Sequence, residues 1–219
     1  MKKIVLSALS FVFVSSLSFA QNVNIPDANF KAYLVGEPSI NTNSDSEIQV
    51  TEAAAFTGVI MCSSLNISDL TGIEAFTSLT ELYCLDNNLS TLDFSQNVSL
   101  NVLYCNSNAL TSIDISQNTS LTELAVDYNN LTSVDVSNNV SLSIFSCSHN
   151  SLTGIDVSQN LNLSELYCSY NPISSLDVSQ NAGLTQLNCD NNSISALDLS
   201  QNPNLLVLLC RNNNISDLD

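Results

Sequence analysis

From Leu79 onward the apolar positions of this chain return every 21 residues, a period far longer than that of a helix or a strand. Leucine opens each unit at Leu79, Leu100, Leu121, Leu142, Leu163, Leu184 and Leu205. Counting that residue as position one, position four is Leu82, Leu103, Leu124, Phe145, Leu166, Leu187 and Leu208. Position six is Cys84, Cys105, Val126, Cys147, Cys168, Cys189 and Cys210. Position nine is Asn in every unit, from Asn87 to Asn213, and position fifteen is Asp, from Asp93 to Asp219. Positions eleven and fourteen are apolar throughout, from Leu89 and Leu92 to Ile215 and Leu218. Within a unit, positions three to seven alternate outward and inward, which predicts a short strand.

A 21-residue coil cannot bury its own apolar edge, so the coils stack and share one continuous core. Their strands pair in parallel about 4.8 Å apart, and eight coils make a rod or shallow arc of about 40 Å. Position-nine Asn lies where the chain leaves the strand, and its amide is expected to bond backbone groups of its own and the adjacent coil as a ladder. Twenty-one residues leave too little chain for a full helix on the outer side, so extended or 3₁₀ segments are expected along Leu-Asp-Val-Ser. The expected fold is a mostly β solenoid of the α/β class, with a parallel sheet on its concave face and a short helical N-terminal cap.

The repeated pattern L-x-x-L-x-C-x-x-N-x-L resembles the leucine-rich-repeat family, and the resemblance covers residues 57–219. A looser first copy, Thr57–Ser78, is one residue longer and carries Leu65 where Asn is expected. Its Ile67-Ser-Asp-Leu-Thr-Gly-Ile73 resembles the internalin-type variant of the repeat. The expected organisation is residues 1–20 as a signal peptide, 21–56 as a helical cap, and 57–219 as the solenoid. The solenoid holds one 22-residue repeat, six of 21 residues and a truncated last one. Val23-Asn-Ile-Pro-Asp-Ala-Asn-Phe30 together with the Cys-containing repeats is similar to secreted leucine-rich-repeat proteins of the Bacteroidetes, flavobacteria in particular. That resemblance implies an exported or cell-surface protein for adhesion or protein binding. Many such relatives carry a C-terminal sorting domain. This sequence stops at position fifteen of a coil without a polar capping repeat, which suggests a truncated frame or an end that pairs with another chain.

The start of the chain fits export. Lys2 and Lys3 precede the apolar run Ile4–Val14, and Ser18-Phe19-Ala20 ends in small residues, the pattern of a signal peptide cut before Gln21. That run is too short to span a bilayer. No cysteine follows the cut for a lipid anchor. The protein is therefore expected outside the cytoplasm of a Gram-negative bacterium.

Charge narrows the partners. The whole chain carries −17, from 4 basic and 21 acidic residues, and −19 once Lys2 and Lys3 are removed. So acidic a chain repels phosphate backbones and anionic membranes, which excludes nucleic acid and membrane insertion, while cations and basic patches on proteins remain compatible.

Three features invite chemistry and have plainer readings beside them. All seven cysteines occupy position six, an inward slot that Val126 fills in one coil. A column of buried thiols, with one or two disulfides or a metal site as alternatives, is the expectation, because neighbouring Cβ vectors run parallel rather than converge. His149 is the only histidine and sits two residues from Cys147, but one points outward and the other inward, so no catalytic dyad forms and no enzyme is expected. The Asp column at position fifteen suits an Asx-type turn with the following Ser, with a cation site as the alternative.

Ahead of the repeats, Asn41–Glu52 can be laid on the calcium loop D-x-[DN]-x-[DN]-G-x₅-E, with Asn41, Asn43, Asp45, Glu47 and Glu52 as the candidate ligands. Asn41 stands for the first Asp and Ser46 for the turn Gly. The helical segments Ile25–Val35, ending at Gly36, and Glu52–Phe56 flank it, and the layout resembles a degenerate EF-hand or dockerin unit. With only Asp45 and Glu52 as ligating carboxylates the affinity should be weak, about 10⁻⁴–10⁻³ M. The alternative is a cap loop that needs no metal, and no other cofactor is expected.

The concave surface is the expected ligand-binding face. Glu81, Tyr83, Asp86, Tyr104, Glu123, Asp127, Tyr128, Glu165, Tyr167 and Tyr170 are read as pointing outward from it. Five tyrosines on one acidic face exceed what a solvated strand surface needs, and Tyr offers a rigid apolar body with a polar tip. A protein partner is the first expectation. The alternatives are a glycan held by the tyrosines, or a scaffold region of a longer protein whose effector or sorting domain lies elsewhere.

Overall fold

The computed structural model describes residues 21–218, so the predicted signal peptide lies outside the described residues. Eight three-residue strands form one parallel sheet, one strand per coil. They are β1 (Val59–Met61), β2 (Glu81–Tyr83), β3 (Val102–Tyr104), β4 (Glu123–Ala125), β5 (Ile144–Ser146), β6 (Glu165–Tyr167), β7 (Gln186–Asn188) and β9 (Val207–Leu209). Two short strands, β8 (Ala196–Leu197) and β10 (Asp217–Leu218), pair in parallel with each other on the outer side. Register follows the repeat: Leu82 pairs with Leu103, Leu103 with Leu124 and Leu124 with Phe145. Ile60 pairs with Leu82, an offset one residue longer, which absorbs the extra residue of the first coil.

The core is the column predicted from the period. Position-one, position-four and position-eleven side chains from Leu79 to Ile194 are inaccessible or nearly so. Each fully buried leucine contributes about 1.5–3 kcal/mol relative to leaving it in water. The thiols share this interior: Cys62, Cys84, Cys105, Cys147, Cys168 and Cys189 are all 0% exposed, and all seven cysteines are unpaired. Burial pushes the Cys105 thiol up to about 12, so it stays protonated and inert at neutral pH.

Two asparagine columns join one coil to the next. At position nine, Asn129 Nδ2 donates to the carbonyls of Cys105, Val126 and Asp127 at 3.1 Å each. Its Oδ1 accepts from the Leu110 amide at 3.0 Å. Asn108, Asn150, Asn171, Asn192 and Asn213 repeat this arrangement. The second column was not anticipated. At position nineteen, Asn118 Nδ2 donates to Phe94 O and Asn97 O of the preceding coil at 3.0 and 2.9 Å. Asn97, Asn139, Asn160, Asn181 and Asn202 do the same one coil at a time, all at most 4% exposed.

The outer side is extended chain and turns, and Ile73–Ala75 is the one 3₁₀ segment among the described residues. Position-fifteen Asp makes the turn there: the Ser158 amide donates to Asp156 Oδ1 at 2.9 Å, and the bond recurs from Asp93 to Asp198. The Ser158 amide and then its hydroxyl hold the Asp156 carboxyl below the usual carboxylate range.

The N-terminal cap is helical but its boundaries differ from the sequence reading. Helix α1 is Ala28–Gly36, so Gly36 is its last residue, and α2 is Val50–Ala55, beginning two residues before Glu52. Asp27 is the N-cap of α1, its Oδ1 accepting from the Asn29 and Phe30 amides at 2.9 and 3.0 Å. Its Oδ2 accepts from the Ser68 amide and hydroxyl, which pins the helix onto the first coil. Phe30 and Leu34 close the core from that side. Gly72 has φ +106°, and a Cβ there would meet Ile25 and Asn24 at 2.8 and 2.9 Å, so only glycine fits between cap and first coil.

Candidate binding surface

Nine of the ten residues read as facing outward fall into two rows rather than one. Glu81, Tyr83, Tyr104, Glu123, Glu165 and Tyr167 sit on the open side of the strands at positions three and five, half-buried by one another. Each tyrosine is tied to a carboxylate. Tyr83 donates to Glu81 at 3.0 Å, Tyr104 reaches across to Glu123 at 2.6 Å, and Tyr167 donates to Glu165 at 2.6 Å and to Gln186 at 3.1 Å. The Tyr83 and Tyr104 rings meet edge to face with centroids 5.2 Å apart. Burial, the hydrogen bond to Glu165 and its charge push the Tyr167 phenol up to about 12, so these tyrosines remain donors at any physiological pH. Between Tyr104 and Tyr167 the position-five side chains are the small Ala125 and Ser146.

The second row lies just past the strands, at position eight. Asp86, Tyr128 and Tyr170 belong here, and they are exposed. The backbone of this position is left-handed in every coil, with φ between 52° and 56° from Asp86 to Asn212. His149 occupies the same position, and its ring is sandwiched between Tyr128 and Tyr170 with centroids 4.1 Å from each and interplanar angles of 11° and 13°. Sequence reasoning placed His149 outward but gave it no role. Its signal was the 21-residue spacing of Tyr128, His149 and Tyr170.

Asp127, expected to face outward, is 9% exposed. Its Oδ1 accepts from the Ser146 hydroxyl at 2.6 Å and the Ser148 amide at 2.8 Å, so it braces the strand ends. Asp190 does the same work for the Arg211 amide, at 2.6 Å, and also receives the Arg211 guanidinium at 2.7 Å. The Cys147 thiol is enclosed in the core while the His149 ring is packed between phenols, so the two do not meet.

The five candidate calcium ligands gather in one loop, where every one but Asn41 already accepts from a donor of the protein. Glu52 Oε1 accepts from the Thr42 amide and hydroxyl and the Asn43 amide at 2.8, 2.9 and 3.1 Å, while its Oε2 accepts from Gln49 N at 3.0 Å. These bonds outweigh burial and hold its carboxyl below the usual range. Asp45 accepts from the Glu47 amide and from the side-chain amides of Asn43 and Gln49. Glu47 pairs with Lys31 at 2.7 Å. Asn41 is 4% exposed, donates to Val35 O and Asp45 O, and its Oδ1 accepts nothing within the protein. That free oxygen suits a cation, whereas the donors on Asp45 and Glu52 would have to give way to one. No cluster of three or more His, Cys, Asp or Glu side chains at metal-binding distance occurs among the described residues.

One parallel strand per coil, an asparagine ladder at the strand exits and an inward leucine column define a leucine-rich-repeat solenoid. Known proteins agree. The chain is similar to the functional domain of internalin J from Listeria monocytogenes, with 38% identity, a TM-score of 0.73, and 92% of this chain matched to 50% of that one. That domain is described as including a cysteine ladder. Internalin C2 of the same species superposes with a TM-score of 0.81 over 91% of this chain and 92% of its own, at 21% identity, a likeness of fold. A leucine-rich-repeat protein of Leptospira interrogans matches at 27% identity and a TM-score of 0.57 over 69% of this chain and 48% of its own. Among curated sequences, internalin J is 40% identical over 72 residues. The matched part spans 33% of this chain and only 8% of that protein. No protein-family profile matches the chain. No helix among the described residues is long and apolar enough to cross a membrane.

Proposed function

We propose that this protein is a non-enzymatic, exported or cell-surface module that binds a protein partner, in adhesion, across the open side of β2 to β6. The row of tyrosine–glutamate pairs carries this reading. Tyr83, Tyr104 and Tyr167 present rigid rings whose hydroxyls are held by Glu81, Glu123 and Glu165, so the surface is organised before a partner arrives. Preorganised aromatic side chains lose little entropy on binding and make strong interface anchors. The carboxylates and the overall charge of −17 favour a partner with a basic patch and speed its approach. The likeness to internalins supports a protein-interaction role without naming the partner.

The test is a photo-crosslinking residue placed at Gln186 on the concave side and at Gln159 on the outer side. The reading expects one extracellular protein to be captured from Gln186 alone and lost when Tyr104→Ala and Tyr167→Ala are introduced. Capture from both positions, or capture indifferent to the tyrosines, overturns it. Glycan binding by the same tyrosines is checked on a carbohydrate array with the same two variants.

Calcium at the Asn41–Glu52 loop is a second, weaker proposal, supported by the unpartnered oxygen of Asn41. Asp45 and Glu52 would have to exchange amide donors for the ion, which keeps the affinity low.

A further inference from the structure

The stack of Tyr128, His149 and Tyr170 contributes little that the fold needs. Tyr128 is 56% exposed and Tyr170 50%. Neither phenol hydroxyl nor the imidazole makes a hydrogen bond within the described residues, so the rings hold only one another. Their backbones have φ of 52°, 55° and 54°, a left-handed conformation that bulky side chains rarely adopt. The equivalent residues elsewhere are Asp86, Ser107, Asn191 and Asn212, short polar types suited to that backbone. Three consecutive coils thus carry rings at this position, and two of them, Tyr128 and Tyr170, are large, exposed and disfavoured by the local backbone, the kind of conflict that clusters at ligand sites.

The stack has two ends. At one, the step down from Tyr170 to Asn191 leaves the outer ring face uncovered above an open hollow lined by His149, Tyr170, Pro172, Asn191, Asn192 and Ser193. A flat group lying over Asn191 continues the stack at its own spacing of 4.1 Å. Among planar side chains of a protein partner, charge selects one. The chain is strongly acidic, and of its only Lys and Arg among the described residues Lys31 is paired with Glu47, while Arg211, which lies near enough to Tyr170 to interact with its phenol, has its charge neutralised by two bonds to Asp190. A guanidinium is planar, stacks on aromatic faces and is drawn by the field of the whole protein.

We propose that the open ring face of Tyr170, at the end of the Tyr128–His149–Tyr170 stack, docks an arginine side chain of the protein partner. This rests on the protein-binding reading of the concave surface and adds a second, separate point of attachment at its rim.

The experiment titrates the ¹⁵N-labelled protein with N-acetyl-arginine amide and, at equal ionic strength, N-acetyl-lysine amide, following amide resonances by NMR. Arginine is expected to shift Tyr170, Asn191, Asn192 and Ser193 at least twofold more than lysine. Tyr170→Asn, the residue type already accepted at Asn191, should abolish those shifts with no fall in melting temperature. Asn191→Tyr should abolish them too, by seating a fourth ring in the docking place. Shifts scattered over the acidic surface, equal shifts from lysine, shifts that survive both variants, or a Tyr170→Asn protein that melts markedly lower each overturn the proposal. A neutral disaccharide that moves the same resonances while arginine does not would assign the site to carbohydrate instead. The crosslinking at Gln186 tests the strand row without any position-eight residue, so failure of one measurement is distinguishable from failure of the other.

Discussion

Asn129→Ala is the sharpest perturbation of the ladder that joins the coils. In the native protein Asn129 is 8% exposed, its Oδ1 is the acceptor for the Leu110 amide, and its two amide protons are shared among three carbonyls. Alanine removes about three net hydrogen bonds at roughly 1 kcal/mol each, and it strands a buried amide donor, which costs about 1–3 kcal/mol more. The carbonyls of Cys105 and Val126 keep a second donor, from Asn108 and Asn150, so they are not orphaned. The expected loss is about 4–6 kcal/mol. Asn139→Ala is the internal comparison. Asn139 donates only to Ile115 O and Asn118 O, both of which also accept from backbone amides, and its own Oδ1 accepts nothing within the protein. Its loss should therefore be about 2 kcal/mol or less. Urea unfolding followed by circular dichroism measures both. Coils interact only with their neighbours, so either change broadens the transition, and free energies are taken from a global fit with a shared slope. Equal costs, or a larger cost for Asn139→Ala, would refute the assignment of the position-nine column as the principal inter-coil tie.

Cys147→Val should cost less than about 1.5 kcal/mol, because Val126 already fills the same slot one coil earlier, and thermal melting reads the difference. The Asp156 carboxyl is held below its ordinary value in the folded state, so its contribution is complete above that ordinary value near 3.8 and is lost as pH falls through the folded one. Asp156→Ala should accordingly destabilise more at neutral pH than at pH about 2.5, and an equal effect at both would remove the turn-locking role. Addition of calcium to about 10 mM should stabilise the protein by about 1.4 kcal/mol if the loop binds with a Kd of about 1 mM, with Glu52→Gln removing the increment. An unchanged melting temperature in the unmodified protein withdraws the ion.

What was legible in the sequence was whatever repeats. A residue that recurs every 21 positions occupies the same environment in every coil, so leucine at positions one and four, cysteine at six and asparagine at nine could be placed without a structure. The position-nineteen asparagines recur just as strictly from Asn97 to Asn202, yet they follow Ser-Gln or Ser-Asn in a polar stretch and read as solvated turn. Only the tight packing of adjacent turns shows that they are buried. The surface was harder. Alternation places a side chain on a face but does not reveal where the strand stops. Tyr128 and Tyr170 were therefore grouped with Tyr104 and Tyr167, although both sit past the strand on left-handed residues, in a row of their own. Asp127 was read as outward by the same alternation, whereas the bend after the strand folds it back onto Ser146 and Ser148. In the cap, spacing alone suggested metal ligands, but it does not distinguish a carboxylate aimed at an ion from one aimed at its own loop's amides.

The central claim is that every coil turns its leucines and its position-six side chain, a thiol in all but one, inward and leaves the tyrosine-bearing side free. Counting thiols with a coloured aromatic disulfide reagent tests it most directly. In the native protein only Cys210, directly after β9, is more than marginally accessible, so at most one of the seven should react within minutes, and all seven once urea unfolds the chain. Rapid reaction of several thiols in the folded protein would contradict the account.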